Sequence, residues 1–225
     1  MEAFISVIIP TRNEEESIYE MVSRCKRALA KYDHEIIVVD HSEDDTPILA
    51  EKAGAKVFIQ KERGVGAAMI QGASICKGNI IAFIDGDSSY QPEDLPKLID
   101  LAMKDSSDIV NGDRFNGRME RGAMKPLNYF GNKLLTFIIN LLFGTRISDS
   151  QSGMKVMKKE VYQKLNLSHH SFPIHSEICA KAGILKLNFR ETPISYKMRR
   201  GDAKLNPFKE GLSILLTILR LRIFS

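Results

Sequence analysis

Two carboxylates separated by a single glycine are the residues of this chain best suited to metal chemistry. Asp85-Gly86-Asp87 comes directly after the apolar run 80–84, and Gln91 follows a few residues later. Carboxylate oxygens suit Mg²⁺ or Mn²⁺, and such ions take one or two protein carboxylates together with substrate phosphates. The motif therefore predicts a divalent cation held by Asp85 and Asp87. Gln91 is either a further oxygen ligand or an ordinary polar residue of the loop.

Basic side chains form a second candidate set, one suited to binding phosphate. Arg114 comes just after a predicted strand, and Arg199, Arg200 and Lys204 follow the last predicted strand. Arginine can hold a phosphate through two parallel hydrogen bonds, whereas lysine acts as a point charge. A solvated basic surface is the alternative, and it is favoured for three residues between these positions, Arg118, Arg121 and Lys125.

The elements that must position these residues alternate along the first half of the chain. The predicted strands are Phe4–Ile9, Glu35–Asp40, Ala55–Gln60 and Asn79–Ile84, and the predicted helices are Glu14–Lys31, Thr46–Ala53 and Gly64–Lys77. Strands separated by helices of this length indicate an α/β fold with a Rossmann-like, mostly parallel sheet flanked by helices. Ligands of such a sheet bind at the carboxyl ends of its strands, which is where Asp40 and Asp85 stand.

The second half of the chain is less regular. Strands are predicted at Ser107–Asn111, Val156–Lys158 and Glu191–Tyr196, and helices at Leu127–Phe143, near Ser176–Ala182 and from Pro207 onward. The stretch Phe115–Lys125 shows no periodicity and is either a lid beside the site or a surface linker. We expect one domain over residues 1–206, followed by a C-terminal amphipathic helix over residues 207–225.

Two of these helices have a composition that suits a membrane surface. Leu127–Phe143 and Pro207–Ser225 combine apolar faces with basic residues, as helices lying on anionic lipid do. Packing on the core or pairing in a dimer is an equal alternative. The apolar stretch Leu212–Leu219 is far shorter than the roughly 18 residues that span a bilayer, so we expect no transmembrane helix. The chain opens directly into a strand, so we expect no signal peptide.

Composition excludes several classes of function. The net charge of the 225 residues is +4, which is too small to indicate nucleic-acid binding but fits a phosphate-bearing substrate or an anionic surface. Cys25, Cys76 and Cys179 lie far apart and form no CxxC pair, which argues against a disulfide framework and against a zinc site.

The loops after the predicted strands resemble those of glycosyltransferase family 2, which has the GT-A fold. The resemblance rests on Pro10-Thr11-Arg12-Asn13-Glu14, on Val39-Asp40-His41-Ser42 and on Asp85-Gly86-Asp87. Segments 112–115, 131–135, 149–154 and 193–205 resemble the dolichyl-phosphate mannose/glucose synthase branch of that family. The family usually has a second acidic residue at the position of His41, which leaves the nucleotide base and the pH dependence open.

The resemblance implies a role for individual residues. Those implied to bind the nucleotide-sugar donor are Pro10, Thr11, Arg12, Asn13, Glu14, Asp40, Gly86 and Asp87. Asp85 and Asp87 would hold Mg²⁺ or Mn²⁺ and act in catalysis together with Arg114. The residues implied to bind the acceptor and the phosphates are Arg114, Arg199, Arg200 and Lys204.

The reaction implied is an inverting transfer of sugar from UDP-glucose, UDP-N-acetylglucosamine or GDP-mannose to dolichyl or polyprenyl phosphate. A phosphate monoester is largely dianionic at neutral pH, so it can attack without the general base that a hydroxyl acceptor needs. An acceptor that is soluble or a polysaccharide is the alternative, with Asp149 as base; otherwise Asp149 would cap a helix. A membrane-binding scaffold with a degenerate site is the non-enzymatic alternative. We expect a peripheral protein on the cytoplasmic face of a membrane.

Overall fold

The computed structural model describes residues 3–104, 107–201 and 207–224. Its strands are β1 (Phe4–Thr11), β2 (Asp33–Asp40), β3 (Lys56–Ile59), β4 (Ile80–Phe83), β5 (Ile109–Met119), β6 (Lys155–Lys158) and β7 (Phe189–Tyr196). Its helices are α1 (Ile18–Ala28), α2 (Thr46–Lys52), α3 (Val65–Ile75), α4 (Leu95–Lys104), α5 (Pro126–Phe143), α6 (Lys159–Leu165), α7 (Ile174–Ile184) and α8 (Pro207–Ile223). A short 3₁₀ turn at Pro92–Asp94 precedes α4.

All of these strands belong to one sheet with the order β3-β2-β1-β4-β6-β5-β7. Neighbouring strands from β3 to β4 are parallel, β6 runs antiparallel to both of its neighbours, and β5 and β7 are parallel. The prediction of a mostly parallel sheet flanked by helices is confirmed. Because β1 and β2 pair from Phe4↔Asp33 to Thr11↔Asp40, Thr11 and Asp40 lie side by side at the carboxyl edge.

The core lies on both faces of this sheet, as the apolar strands require. Ile5, Val7 and Ile9 of β1 face the layer that contains α1 and α4. Ile8, between them, faces α3, α6 and α7 on the other side. Successive side chains of a strand point to opposite faces, so a strand buried on both sides needs an unbroken apolar run.

Helices α5, α7 and α8 form a smaller apolar cluster beside the sheet. Its buried members are Leu135 and Ile139 of α5, Cys179 of α7, Ile214 and Ile218 of α8, and Ile147 from the segment after α5. The C-terminal helix therefore packs against the rest of the protein through one stripe of its surface. Within the described ranges, no helix is both long and apolar enough to cross a membrane.

The structure differs from the sequence prediction mainly after residue 90. Two helices, α4 and α6, were not predicted, although Leu95, Leu98, Ile99 and Ala102 of α4 have helical spacing and are buried. Strand β5 continues to Met119 and pairs with β7 beyond an irregularity between Asp113 and Arg118. The first half of the expected loop Phe115–Lys125 is therefore strand.

Helix α1 begins four residues later than predicted, at Ile18 instead of Glu14. The reason is local, because Asn13 has a φ of 52° and the N–H groups of Ser17 and Ile18 both bond to the Glu14 carbonyl in a turn. The residues before Ile18 therefore belong to a loop at the carboxyl edge of the sheet.

Candidate active site

The loops that follow β1 and β2 are joined by hydrogen bonds through Asp40. Its buried carboxylate accepts hydrogen bonds from the Thr11 hydroxyl (2.7 Å), the Ser42 hydroxyl (2.6 Å) and the Ser42 backbone N–H (3.0 Å). Asp40 was expected to contact the base or ribose of the donor. In this structure its oxygens hold the two loops together, and His41 beside it is exposed.

Asn13 and Glu14 continue this join. The Asn13 N–H donates to the Ser42 hydroxyl (2.7 Å), and the Asn13 side-chain oxygen accepts from the Glu43 N–H (2.9 Å). The Glu14 N–H donates to the Thr46 hydroxyl at the start of α2 (2.8 Å). The expected donor-binding segment, residues 10–14, thus forms one wall at the carboxyl ends of β1 and β2, with Pro10 and Arg12 partly exposed.

The acidic pair lies at the carboxyl end of β4, next to this wall. Gly86 is in close contact with Thr11, because a Cβ atom added to Gly86 would lie 2.8 Å from the Thr11 methyl group. The Asp85 carboxylate makes no hydrogen bond or ion pair with any residue that the structure describes. Burial, followed by the negative charge of Asp87, raises the pKa of Asp85 to about 7. Two hard oxygen groups held in this way form a donor set that fits a divalent cation.

Asp87 is more fully engaged than Asp85. One of its oxygens accepts from the Ser89 N–H (3.0 Å) and hydroxyl (2.6 Å), and the other lies 3.5 Å from Arg199. Arg199 also lies 3.3 Å from Glu14. Its guanidinium therefore bridges Asp87 and the wall formed by residues 10–14, called the donor wall below. The Arg200 N–H bonds to the Asp87 carbonyl, but the Arg200 side chain turns away to Glu20 on α1. Lys204 lies outside the described residues.

Arg114 is buried in the middle of β5, in an ion pair with Asp149. Its Nε and Nη2 each lie 2.7 Å from one Asp149 oxygen, and its backbone N–H donates to Asp149 as well (3.1 Å). The guanidinium also lies over the rings of Tyr196 (5.2 Å) and Phe115 (5.8 Å). Asp149 begins no helix, so the capping role considered for it is wrong.

Comparison with known proteins identifies the family of the chain. Residues 6–165 match the model described as Glycosyl transferase family 2. The chain belongs to glycosyltransferase family 2. Its sheet, with the acidic pair after β4 and the loops after β1 and β2 at one edge, is the GT-A fold.

Several curated family members are similar over most of this chain. A low-salt glycan biosynthesis hexosyltransferase of Haloferax volcanii is 35% identical over 92% of this chain and 51% of its own length. A dolichyl-phosphate hexose transferase of the same organism is 30% identical over 96% of this chain and 92% of its own. A dolichol-phosphate mannosyltransferase of Pyrococcus furiosus is 34% identical over 89% and 59%. The chain thus spans only about half the length of the first of these relatives.

Solved structures of other glycosyltransferases share the fold at low sequence identity. Glucosyl-3-phosphoglycerate synthase of Mycobacterium tuberculosis, in complex with Mn²⁺ and UDP, has a TM-score of 0.77 at 20% identity, covering 98% of this chain and 78% of its own. Mannosyl-3-phosphoglycerate synthase of Rubrobacter xylanophilus has a TM-score of 0.78 at 17% identity, covering 97% and 73%.

The Gln91 side chain, considered above as a further metal ligand, is hydrogen-bonded to other protein groups. Its amide oxygen accepts from Arg24 (2.7 Å), and its amide nitrogen donates to the carbonyls of Ser88 (3.0 Å) and Ser89 (3.3 Å). Gln91 therefore closes the turn after the acidic pair. No group of three or more histidine, cysteine or acidic side chains suited to a metal exists in the described part of the chain.

The structure also adds residues that the sequence analysis did not single out. Gly153 lies directly against the acidic pair, because a Cβ atom there would be 2.6 Å from an Asp85 oxygen. The Gly153 N–H donates to the hydroxyl of buried Tyr90 (2.6 Å), whose ring contacts Tyr196 at 5.1 Å. Gly153 was expected to matter only as part of the 149–154 segment that resembles the family; its contact with Asp85 gives a physical reason for the glycine.

Proposed function

We propose that this glycosyltransferase moves a hexose from a nucleotide sugar to dolichyl or polyprenyl phosphate. The observation that carries the proposal is the contact, at one edge of the sheet, between the loop after β4 and the loop before β6. Asp85 lies against Gly153, four residues from the Asp149 that holds Arg114. The carboxylate pair that we propose to bind the metal is thus close to a buried arginine. The relatives named for dolichyl-phosphate transfer support the choice of acceptor.

On the donor side, Asp85 and Asp87 would hold Mg²⁺ or Mn²⁺ together with the donor diphosphate. The bound ion would neutralise the charge that develops on the leaving nucleotide. Arg199, between Asp87 and Glu14, is placed to contact the same phosphates. We leave Gln91 out of the proposed ligand set because Arg24 already occupies its oxygen. The complex of the Mycobacterium tuberculosis enzyme with Mn²⁺ and UDP supports the choice of a divalent ion and a nucleotide as ligands of this fold.

On the acceptor side, the state of Asp149 favours a phosphate over a hydroxyl group. Both Asp149 oxygens are held by Arg114, and the side chain is fully buried. A carboxylate paired in this way is a poor general base, which a hydroxyl acceptor would need. A dianionic phosphate needs cations instead, and Arg114 retains Nη1 outside the pair with Asp149. Attack from the face opposite the nucleotide would invert the anomeric centre.

A bilayer surface is the proposed partner of α5 and α8. Each helix exposes an apolar stripe with a spacing of three or four residues: Leu127, Phe130, Leu134, Phe137 and Leu141 on α5, and Phe208, Leu212, Leu216, Leu219 and Ile223 on α8. Basic residues at the ends, among them Arg220 and Arg222, suit anionic lipid. We propose that this surface lies on the membrane that holds the acceptor, at its cytoplasmic face.

A transfer assay tests the proposed reaction. Purified protein would be given labelled UDP-glucose, UDP-N-acetylglucosamine or GDP-mannose, with Mn²⁺ or Mg²⁺ and dolichyl phosphate in detergent. We expect label to become extractable into organic solvent with one donor and only with a divalent ion. Asp87→Ala should lower the rate on the order of 10³-fold, because the ion contributes several kcal/mol. Transfer to soluble or polysaccharide acceptors, with none to lipid phosphate, would refute the proposal.

Vesicle flotation tests the membrane surface separately. We expect the protein to float with vesicles that contain phosphatidylglycerol, and less with vesicles of phosphatidylcholine alone. Leu212→Gln combined with Leu216→Gln should abolish flotation, because both side chains are more than half exposed on α8. Ile48→Gln with Ile59→Gln, which have a similar mean exposure but lie on α2 and β3, is the matched control. Equal flotation of both double variants would contradict the assignment.

A further inference from the structure

Glu191 on β7 accepts an unusual set of hydrogen bonds. One of its carboxylate oxygens accepts from the Asn111 side-chain amide (2.9 Å) and the Asp149 backbone N–H (3.1 Å). The other accepts from the Ser148 backbone N–H (2.5 Å). Asn111 is directly opposite Glu191 in the β5–β7 register, and its amide also donates to the Asp149 carbonyl (2.8 Å). Side chains of two adjacent strands thus both bind the Asp149 backbone, and Glu191 binds Ser148 as well.

These hydrogen bonds fix the position of Asp149, the residue that forms the ion pair with Arg114. The segment from Gly144 to Asp149 follows α5 and belongs to no strand, so the sheet does not order its backbone. Buried N–H groups need acceptors, and here Glu191 supplies them for both Ser148 and Asp149. The Asp149 side chain then binds Arg114 through three nitrogen atoms. A continuous series of contacts therefore runs from Glu191 to the Arg114 guanidinium.

The chemistry at this position requires a carboxylate. Three N–H donors converge on two Glu191 oxygens, and an ionised carboxylate can accept all of them. A glutamine has one oxygen, and its amide would direct a further N–H at a neighbour that is itself a donor. A glutamine of nearly the same shape would therefore leave a partly buried N–H without its acceptor and shift the 148–149 backbone.

We propose that Glu191 is a positioning residue, which sets the orientation of Arg114 toward the acceptor phosphate through Asn111, Ser148 and Asp149. The inference rests on the proposed function for the identity of the acceptor. The geometry itself is independent of the proposed function, because all of these contacts lie within the protein and involve no substrate.

Kinetics of Glu191→Gln test the proposal. Displacement of a catalytic group by about 1 Å can lower a rate about 100-fold, so we expect kcat/KM for dolichyl phosphate to fall 10- to 100-fold. The Kd of the nucleotide sugar, measured by calorimetry with Mn²⁺, should change less than twofold, since the donor wall does not touch Glu191. Glu160→Gln, an exposed glutamate at the start of α6, is the matched control and should behave as wild type.

Two further measurements separate the possible failures. The Nε–H resonance of Arg114 in ¹⁵N NMR should shift or exchange faster in Glu191→Gln, whichever acceptor the enzyme uses. Asn111→Ser, which keeps the carboxylate, should lower acceptor kcat/KM about 3- to 10-fold and serves if Glu191→Gln does not fold. An unchanged Arg114 resonance with unchanged acceptor kinetics overturns the inference. Absence of lipid transfer in the wild type, with the resonance shifted as expected, overturns only the proposed function.

Discussion

Two loops meet at the carboxyl edge of the sheet, one after β4 and one before β6, and their carboxylates are in opposite states. The loop after β4 leaves Asp85 without a hydrogen bond or ion pair to any described residue and sets it beside a second negative charge, that of Asp87. The loop before β6 binds both oxygens of Asp149 to Arg114. The two loops touch where Asp85 lies against Gly153. One site therefore combines an unpaired acid with a fully paired one.

The difference separates two tasks that the same side chain can perform. An unpaired, partly buried carboxylate is kept in an unfavourable state that a cation relieves, so it suits ligand binding. A paired, buried carboxylate is already satisfied, so it suits the positioning of its partner. Substitution of Asp85 should therefore change activity more than stability, whereas substitution of Asp149 should lower stability strongly.

The largest expected effect is a loss of stability when Asp149, in the loop before β6, is replaced. Asp149→Ala would leave the buried Arg114 charge without a partner, which typically lowers the unfolding free energy by about 3 to 5 kcal/mol. Urea unfolding followed by circular dichroism measures this change. Asp149→Ala combined with Arg114→Met removes both charges and should recover most of the loss. A single variant within about 1 kcal/mol of wild type would end the distinction between the loops.

The opposite pattern, a large loss of activity with little loss of stability, is expected for Asp85 in the loop after β4. Asp85→Asn should lower metal-dependent transfer about 10²- to 10³-fold, because it removes a ligand of the proposed ion. The same variant relieves the repulsion from Asp87, so the metal-free protein should be as stable as wild type or more stable by about 0.5–2 kcal/mol. Activity assays and urea unfolding, both performed in chelator-treated buffer with and without Mn²⁺, give the two values. A marked loss of stability would contradict the interpretation of Asp85.

The contact between the loops provides a smaller and sharper test. Gly153→Ala places a methyl group 2.6 Å from an Asp85 oxygen, so the carboxylate must move. We expect the affinity for Mn²⁺ in the presence of nucleotide to fall about 10- to 100-fold, in the range seen when groups that orient metal ligands are lost. Gly211→Ala, where an added Cβ meets nothing within 4 Å, is the control and should leave the affinity unchanged.

Glu35, near the amino end of β2 and outside both loops, provides a reference carboxylate for comparison. Glu35 accepts from the Ser6 hydroxyl (2.7 Å), the Lys77 N–H (2.6 Å) and Lys56 (2.7 Å). Burial alone would raise the pKa of Glu35, but these contacts outweigh burial and lower the pKa from its ordinary value of 4.5. A lowered folded-state pKa stabilises the protein above the unfolded value, and this stabilisation disappears as the pH falls through the folded value.

Glu35→Gln should therefore destabilise the protein by about 1 to 2 kcal/mol at pH 7 without changing the transfer rate. The difference from wild type should shrink below pH 4.5 as the wild-type carboxyl group gains a proton. Urea unfolding from pH 3 to pH 7 measures it, with exposed Glu51→Gln as the control. A difference that is constant over this range would show that shape, and not charge, is responsible.

Sequence patterns predicted the first half of the chain well because its structure is local. Unbroken apolar runs identified β1, β2 and β4, and their carboxyl ends placed Asp40 and Asp85 at one edge. Patterns predicted the second half less well for two reasons. Strand β6 pairs antiparallel between β4 and β5, which no local signal indicates. The stretch Phe115–Met119 lacks periodicity because it crosses the irregularity in β5, so it was expected to be a loop.

The sequence by itself determined the family, the GT-A sheet and the residues able to bind a metal and phosphates, because these depend on residue type and on order along the chain. Only the tertiary structure decided what each charged group does. It paired Arg114 with Asp149, gave the Gln91 oxygen to Arg24, directed Arg200 to Glu20 and set Glu191 behind the Asp149 backbone. The reason is that the state of a charge depends on which partners surround it, and these partners come from distant parts of the chain.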